Sequence, residues 1–205
     1  MSIATQAPSR PLGPWANGMV MSIEEFDAVS DWDQEYRYEL LHRVLIVSPA
    51  PGYGERNPND ELGFLLRTYW YHHPQGKVMN NTVSEQYIAT SAGRRRADRV
   101  VWTGLGRLPV PMQDVPTIAI EFTSDSTRDR KRDYETKREE YLEAGVEEYW
   151  VIDRFRRTMT VFRSDDKLIV AEQEMYQSPL LPGFELTPAR LFAVADGLDA
   201  SAFTN

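Results

Sequence analysis

The pattern of apolar and polar positions is most regular between Pro116 and Asp153, PTIAIEFTSDSTRDRKRDYETKREEYLEAGVEEYWVID. Thr117 to Phe122 reads as a buried strand, about Arg128 to Ala144 as a charged helix, and Glu148 to Asp153 as a second buried strand. Gly145 sits where a helix C-cap belongs. A strand–helix–strand of this length predicts a parallel pair with a right-handed crossover. Upstream, a strand is predicted from about Asp98 to Trp102, with Asp98 opening the apolar run. Leu62, Leu65, Leu66, Tyr69 and Trp70 recur at helical spacing between Asp60 and Tyr71. Gly76 to Thr90 holds one or two strands. Tyr36 to Leu41 and Val44 to Ser48 read as short strands separated by His42-Arg43, neither of which favours the positive φ of a tight hairpin. Ser22 with Glu25 three residues on starts a short helix. Pro49 to Pro58 reads as a Pro/Gly-rich loop. Arg157 to Arg163 and Leu168 to Glu172 alternate as an antiparallel hairpin, and PLLPGFELTPARLF closes with a turn and a short helix.

These elements predict an α/β fold in which helices pack on a central mixed sheet, with antiparallel hairpins added to it. Residues 1–20, rich in Pro and Gly, are expected as a flexible or draped arm, 21–197 as a single domain and 198–205 as a tail. A chain of 205 residues with 41% hydrophobic content is long enough to bury a full core.

Composition narrows the chemistry. There are no cysteines, so disulfides, thiolate metal sites and Cys nucleophiles are excluded. Only His42, His72 and His73 could donate imidazole; a structural zinc is not expected, and His72-His73 reads as an exposed helix end. The absence of a long apolar run or a signal-like N-terminus predicts a cytoplasmic protein without a membrane span. The net charge of −8 argues against non-specific coating of nucleic acid. Two basic runs nevertheless flank the central acids in sequence: Arg94-Arg95-Arg96, and Arg128, Arg130, Lys131, Arg132. They read either as solvated faces or as phosphate contacts.

Those acids are Asp98 and Glu121. A glutamate emerging from an apolar run is costly unless something cationic receives it. Two carboxylates at one edge of a sheet suit a hard divalent cation. In the helix, Tyr134, Lys137, Tyr141 and Ala144 share a face, so Lys137 lies among tyrosines. Its ammonium pairs with Glu121, or its stem packs over the aromatics with the head in solvent. Ser124, Ser126 and Thr127 read as helix-capping residues, Glu147 and Glu148 as the entry to a strand, Asp153 as a turn residue, and Tyr149 and Trp150 as core.

The series YELL…VLIVSPAP, an Asp before an apolar strand, IEFTSDST…K…Y…GVEEYWVID and SPLLPGFEL resembles the Uma-two family of restriction-endonuclease-like proteins, within the PD-(D/E)XK nuclease superfamily. The resemblance runs from about Tyr38 to Phe192. It implies a restriction-endonuclease-like sheet and metal-dependent hydrolysis of DNA phosphodiesters. Asp98 and Glu121 would hold magnesium (manganese as substitute), with the backbone carbonyl of Phe122 as a further ligand. Lys137 would be the catalytic lysine, because Thr123 stands two positions after Glu121, and Glu39 in YELL an additional acidic group. Ala97 replaces the usual Pro, His42-Arg43 the usual Asp-Gly, and Asp125 the usual Pro of Ser-Pro-Ser. The histidine that many relatives carry after SPAP has no counterpart in Glu55-Arg56-Asn57-Pro58-Asn59. Nucleases of this kind commonly act as homodimers, for which the hairpin at 157–172 or the apolar tail would supply an interface. The competing readings are a non-catalytic module of the same fold that binds DNA or a protein partner, and a dimeric structural protein with a vestigial pocket.

Overall fold

The computed structural model describes residues 11–123 and 132–197. They fall into two compact units. The smaller holds the chain up to Ala50 together with Ala92–Arg95; the larger holds Pro51–Ser91 and the chain from Arg96 on.

In the smaller unit, α1 (Ile23–Asp27) is started by a reciprocal cap. The Ser22 hydroxyl accepts the Glu25 N–H at 3.1 Å while Glu25 accepts the Ser22 N–H at 2.7 Å. Strands β1 (Tyr36–Leu41) and β2 (Val44–Pro49) pair antiparallel through six residues, closing on Leu41 opposite Val44. This leaves a two-residue turn, and His42 (φ 49°) and Arg43 (φ 67°) both enter the left-handed region. The tight hairpin that their residue types disfavour therefore forms. Burial of Tyr38, Leu40 and Leu45 fixes the register, and the turn has to follow it. Residues of the expected arm are anchored here: Leu12 and Ala16 are buried, and the Tyr38 hydroxyl donates to the carbonyls of Leu12 (2.6 Å) and Asp33 (3.0 Å).

In the larger unit the sheet order is β3 (Met79–Thr90), β4 (Gly93–Thr103, from Arg96 on), β5 (Ile118–Phe122), β6 (Glu148–Asp153), β7 (Thr158–Phe162) and β8 (Lys167–Ala171). β5 and β6 run parallel; β4–β5, β6–β7 and β7–β8 run antiparallel. The sheet is mixed, as expected. One face carries Val101, Ile118, Ile120, Trp150 and Ile152 under α2 (Tyr53–His72) and the C-terminal helix α4 (Pro188–Ala195), which bring Leu62, Leu66, Leu191 and Phe192. The other carries Val100, Trp102, Ala119, Tyr149 and Val151 under α3 (Lys137–Glu143), which brings Tyr141.

Three boundaries differ from the pattern. The loop expected from Pro49 to Pro58 ends at Gly52. α2 begins at Tyr53 and carries Pro58 in its second turn, where the missing N–H forgoes one bond to the first turn. β4 starts at Gly93 rather than Asp98, taking in the arginine triplet. The charged helix opens with a π-helical turn, Arg132–Thr136, before α3; its expected start at Arg128 lies outside the described residues, as do Ser124, Ser126 and Thr127. No helix among the described residues is long and apolar enough to cross a membrane.

Candidate functional site

Strand pairing brings the two acids together. Arg99 on β4 faces Ile120 on β5, so the next pair along the ladder is Asp98 opposite Glu121. Directly opposed residues present their side chains on one face of a sheet. That face is the one under α3, where Glu121 shares its row with Val151. Both carboxylates are buried, Asp98 4% and Glu121 2% exposed. Asp98 Oδ2 accepts the Phe122 N–H at 2.7 Å, which ties the acid of one strand to the backbone of the next.

Lys137 is the first residue of α3 and is 3% exposed. Its Nζ lies 2.8 Å from Glu121 Oε1. Of the two readings of this lysine, the structure takes the ion pair rather than a head in solvent. One helical turn on, the hydroxyl of fully buried Tyr141 donates to the same Oε1 at 2.9 Å. Spacing placed Tyr141 on the face of Lys137 but gave it no part in the site. The signal was the i, i+4 relation of a hydroxyl to a lysine beside a strand-end glutamate.

A second layer supports Asp98 from the opposite face. Asn59 of α2 donates to the Asp98 carbonyl at 2.9 Å and accepts from Arg99 Nε at 2.7 Å. Arg99 also donates to Thr82 Oγ1 at 3.4 Å. Its guanidinium is pulled down to about 10, chiefly by burial, with Asp60 acting in the opposite sense. Gly63 makes room for it: a Cβ there would lie 2.5 Å from a guanidinium nitrogen. Neither Asn59 nor Arg99 carries a pattern that a single sequence reveals.

Most of the other described candidates have partners of their own. Glu39 belongs to the smaller unit, is buried, and lies 3.6 Å from Arg95. The arginine triplet is neither solvated nor an open phosphate contact. Arg94 pairs with Asp27 at 2.8 Å, Arg95 faces Glu39, and in the larger unit Arg96 pairs with Glu85 at 2.9 Å. Arg128, Arg130 and Lys131, with Asp125, lie outside the described residues. His72 ends α2, while His73 caps it and stacks on Tyr69. Asp153 is a turn residue whose Oδ1 accepts the N–H groups of Phe155 and Arg156, each at 3.0 Å. Glu148 is more than the entry to a strand. It is buried and accepts from Trp150, Tyr176, Ser178 and Arg163 at 2.8–3.0 Å, and its charge, after burial itself, holds the Tyr176 phenol above its ordinary range.

The donor set fits a hard divalent cation. Two buried carboxylates stand on adjacent strands, one of them paired with a lysine, and oxygen is the atom such ions take. Among the described residues no group of three or more His, Asp or Glu stands at ligand spacing. A cation here would therefore rely on the two acids, a backbone carbonyl and water.

Comparison with known proteins gives a family and a likeness of fold. No curated protein matches the chain. Among solved structures, a protein from Anabaena variabilis ATCC 29413, described as "a putative nuclease belonging to DUF820", aligns with a TM-score of 0.69. It is 16% identical and covers 85% of this chain and 99% of that one, a likeness of fold. A family model, Uma2, described as "Putative restriction endonuclease", matches residues 23–189. The chain belongs to the Uma2 family.

Proposed function

We propose that the protein is a metal-dependent nuclease that hydrolyses DNA phosphodiesters at Asp98, Glu121 and Lys137. The observation that carries this is the convergence of a buried lysine on one of two buried acids carried by paired neighbouring strands. Asp98, Glu121 and the Phe122 carbonyl would hold the cation, magnesium or manganese. Bound there, it would supply Lewis acidity toward a phosphoryl oxygen and an acidified water. The residues do the rest. The Phe122 N–H fixes the Asp98 carboxylate, and Tyr141 keeps Glu121 oriented while Lys137 is drawn toward the reacting phosphate. There the ammonium orients the attacking water and offsets the charge that develops on the phosphorane-like transition state. Glu39 would serve as a further acidic group, and Glu39→Gln tests whether it takes part.

The test is cleavage of supercoiled plasmid and of a labelled single strand with magnesium or manganese. Wild type should cleave. Glu121→Gln, which keeps an acceptor for Lys137 and Tyr141 but removes the charge, should not, and Lys137→Ala should not. Cleavage that persists in Glu121→Gln rejects this site.

One observation favours a second reading. Lys137 already neutralises Glu121, as in a fold that has retained its core ion pair without catalysis. A non-catalytic module of this kind would bind DNA or a protein partner equally well with Glu121→Gln and without divalent metal. In either case the chain would form a homodimer through the edge strand β8, whose Leu168 and Ile169 are exposed. Light scattering at two concentrations tests this.

A further inference from the structure

On the face of the sheet opposite Glu121, the ends of β5 and β6 meet the start of α2 in a small recess. It is lined by Gly54, Pro58, Phe122, Thr123, Arg154 and Phe192, among others, and has a volume of about 10 Å³, room for one oxygen-sized atom. Two of the residues that line it carry a buried polar atom without a hydrogen-bond partner: the hydroxyl of Thr123, a residue 1% exposed, and Nε of Arg154. Buried polar groups are nearly always paired, so an orphaned pair around one cavity points to a missing acceptor.

Charge identifies the acceptor. Among the described residues no carboxylate lies within ion-pairing distance of Arg154. Its guanidinium sits directly against the first turn of α2, close enough that a Cβ on Gly54 would lie 2.3 Å from one terminal nitrogen. α2 is a 20-residue helix whose N-cap, Gly52, supplies no side-chain acceptor. The Glu55 and Arg56 N–H groups turn back to the Gly52 carbonyl, and Glu55 places an acid in the first turn, so the helix end adds only modestly to the positive charge of Arg154. A buried guanidinium nitrogen and a buried hydroxyl, neither with an acceptor, call for an oxygen between them, which an anion supplies with charge to match.

We propose that this recess binds an oxyanion of the phosphate class, seating one of its oxygens between Thr123 Oγ1 and Arg154 with the rest of the group at the mouth. The nuclease reading bears only on where the phosphate comes from. Thr123 follows Glu121 by two residues, so a nucleic-acid substrate would be gripped by one phosphate beside the strand end that carries the acid. Phosphate binding by itself does not depend on cleavage.

The experiment is done in EDTA on the full chain, so that no metal contributes. Inorganic phosphate is titrated by calorimetry, and a fluorescent single-stranded oligonucleotide by anisotropy in the Glu121→Gln background. Thr123→Val and Arg154→Gln should each weaken binding about tenfold, the loss of one charge-assisted hydrogen bond. Gly54→Ala keeps every charge but displaces the guanidinium, and should weaken binding similarly. Arg156→Gln removes a cation two residues away, outside the recess, and should change it less than about twofold. Thermal melting confirms that each variant folds. Loss with both probes identifies a backbone phosphate as the ligand; loss with inorganic phosphate alone identifies a free oxyanion. Equal affinity of wild type, Thr123→Val and Gly54→Ala for both probes would overturn the proposal and leave a recess that holds water. Phosphate binding that depends on Arg154, in a protein that never cleaves DNA, would uphold the site and sink the nuclease.

Discussion

Lys137 and Tyr141 converge on a single oxygen of Glu121, and the two donors do different things. The ammonium lowers the cost of burying the carboxylate; the hydroxyl fixes its orientation without altering its charge. Removing the hydroxyl alone should therefore loosen the acid while leaving the ring packed edge-on against Tyr149. If Glu121 holds a cation as proposed, Tyr141→Phe is expected to weaken manganese binding, measured by calorimetry without nucleic acid, by about 10- to 100-fold, the usual cost of losing an outer partner of a metal ligand. Tyr69→Phe is the control. Its hydroxyl is also buried and bonded, to the carbonyls of Gln75 and Pro182, but it has no link to the acids, so stability should fall while metal affinity holds. Equal losses of affinity in both variants would mean that Tyr141 acts only through the fold. At this scale the sequence is legible where a costly residue stands in an apolar run. Glu121 and Lys137 announce themselves by being charged where burial is expected. Asn59, Arg99 and Arg154 do not, because each takes its meaning from a partner on a distant element: Asp98, Thr82 and Gly54.

Elements were legible to the extent that their own periodicity defines them. β5, β6, β7 and β8 are predicted within a residue or two, since each alternates or is apolar throughout. α2 and β4 are longer than predicted, because Gly, Pro and Arg mask an element whose ends are stabilised by other parts of the chain. The clearest case is the β1–β2 hairpin. Six cross-strand pairs impose a two-residue turn on His42 and Arg43, both exposed and both at positive φ, a conformation that costs a residue with a Cβ about 1–2 kcal/mol. Replacing them with Asn-Gly should stabilise the protein by about 1 kcal/mol or more, read as a higher denaturant midpoint with an unchanged slope. An unchanged midpoint would mean that His42 and Arg43 make compensating contacts. The loop after β4 offers a test by pH. Arg107 holds Asp114 with two hydrogen bonds of 2.6 and 2.7 Å, the Val110 N–H adds a third, and the Asp114 carboxyl is pulled down to about 2, first by Arg107. A depressed folded pKa contributes stability that is present above the ordinary carboxylate value and lost as pH falls toward the folded one. The gap in melting temperature between wild type and Asp114→Asn should be constant above pH 5 and close between about pH 4 and 2. A gap that stays open at pH 2 would remove Asp114 from the account.

The whole molecule carries a net charge of −8, and among the described residues several arginines are engaged with its own acids. Arg94, Arg96, Arg107, Arg157, Arg163 and Arg190 each lie within 3.0 Å of a carboxylate oxygen. An arginine already paired releases few counterions when a phosphate approaches, because its charge is locally neutralised. If the protein binds nucleic acid as proposed, few of the described arginines are open to a phosphate, and Arg154, which stacks on Phe155 but has no carboxylate partner among the described residues, is one of them. The consequence is measurable. The plot of log affinity against log salt for an oligonucleotide should be shallow, with a slope no steeper than about −3, where a protein making six to ten phosphate contacts would give about −5 to −9. Arg154→Gln should flatten it by about one further unit. A slope near −8 in wild type would show that the internal ion pairs open to admit nucleic acid, and the count of usable cations would then have to begin again from the full set of lysines and arginines. A shallow slope that Arg154→Gln leaves untouched would instead place the phosphate contacts on other cations and separate the recess from the nucleic-acid surface.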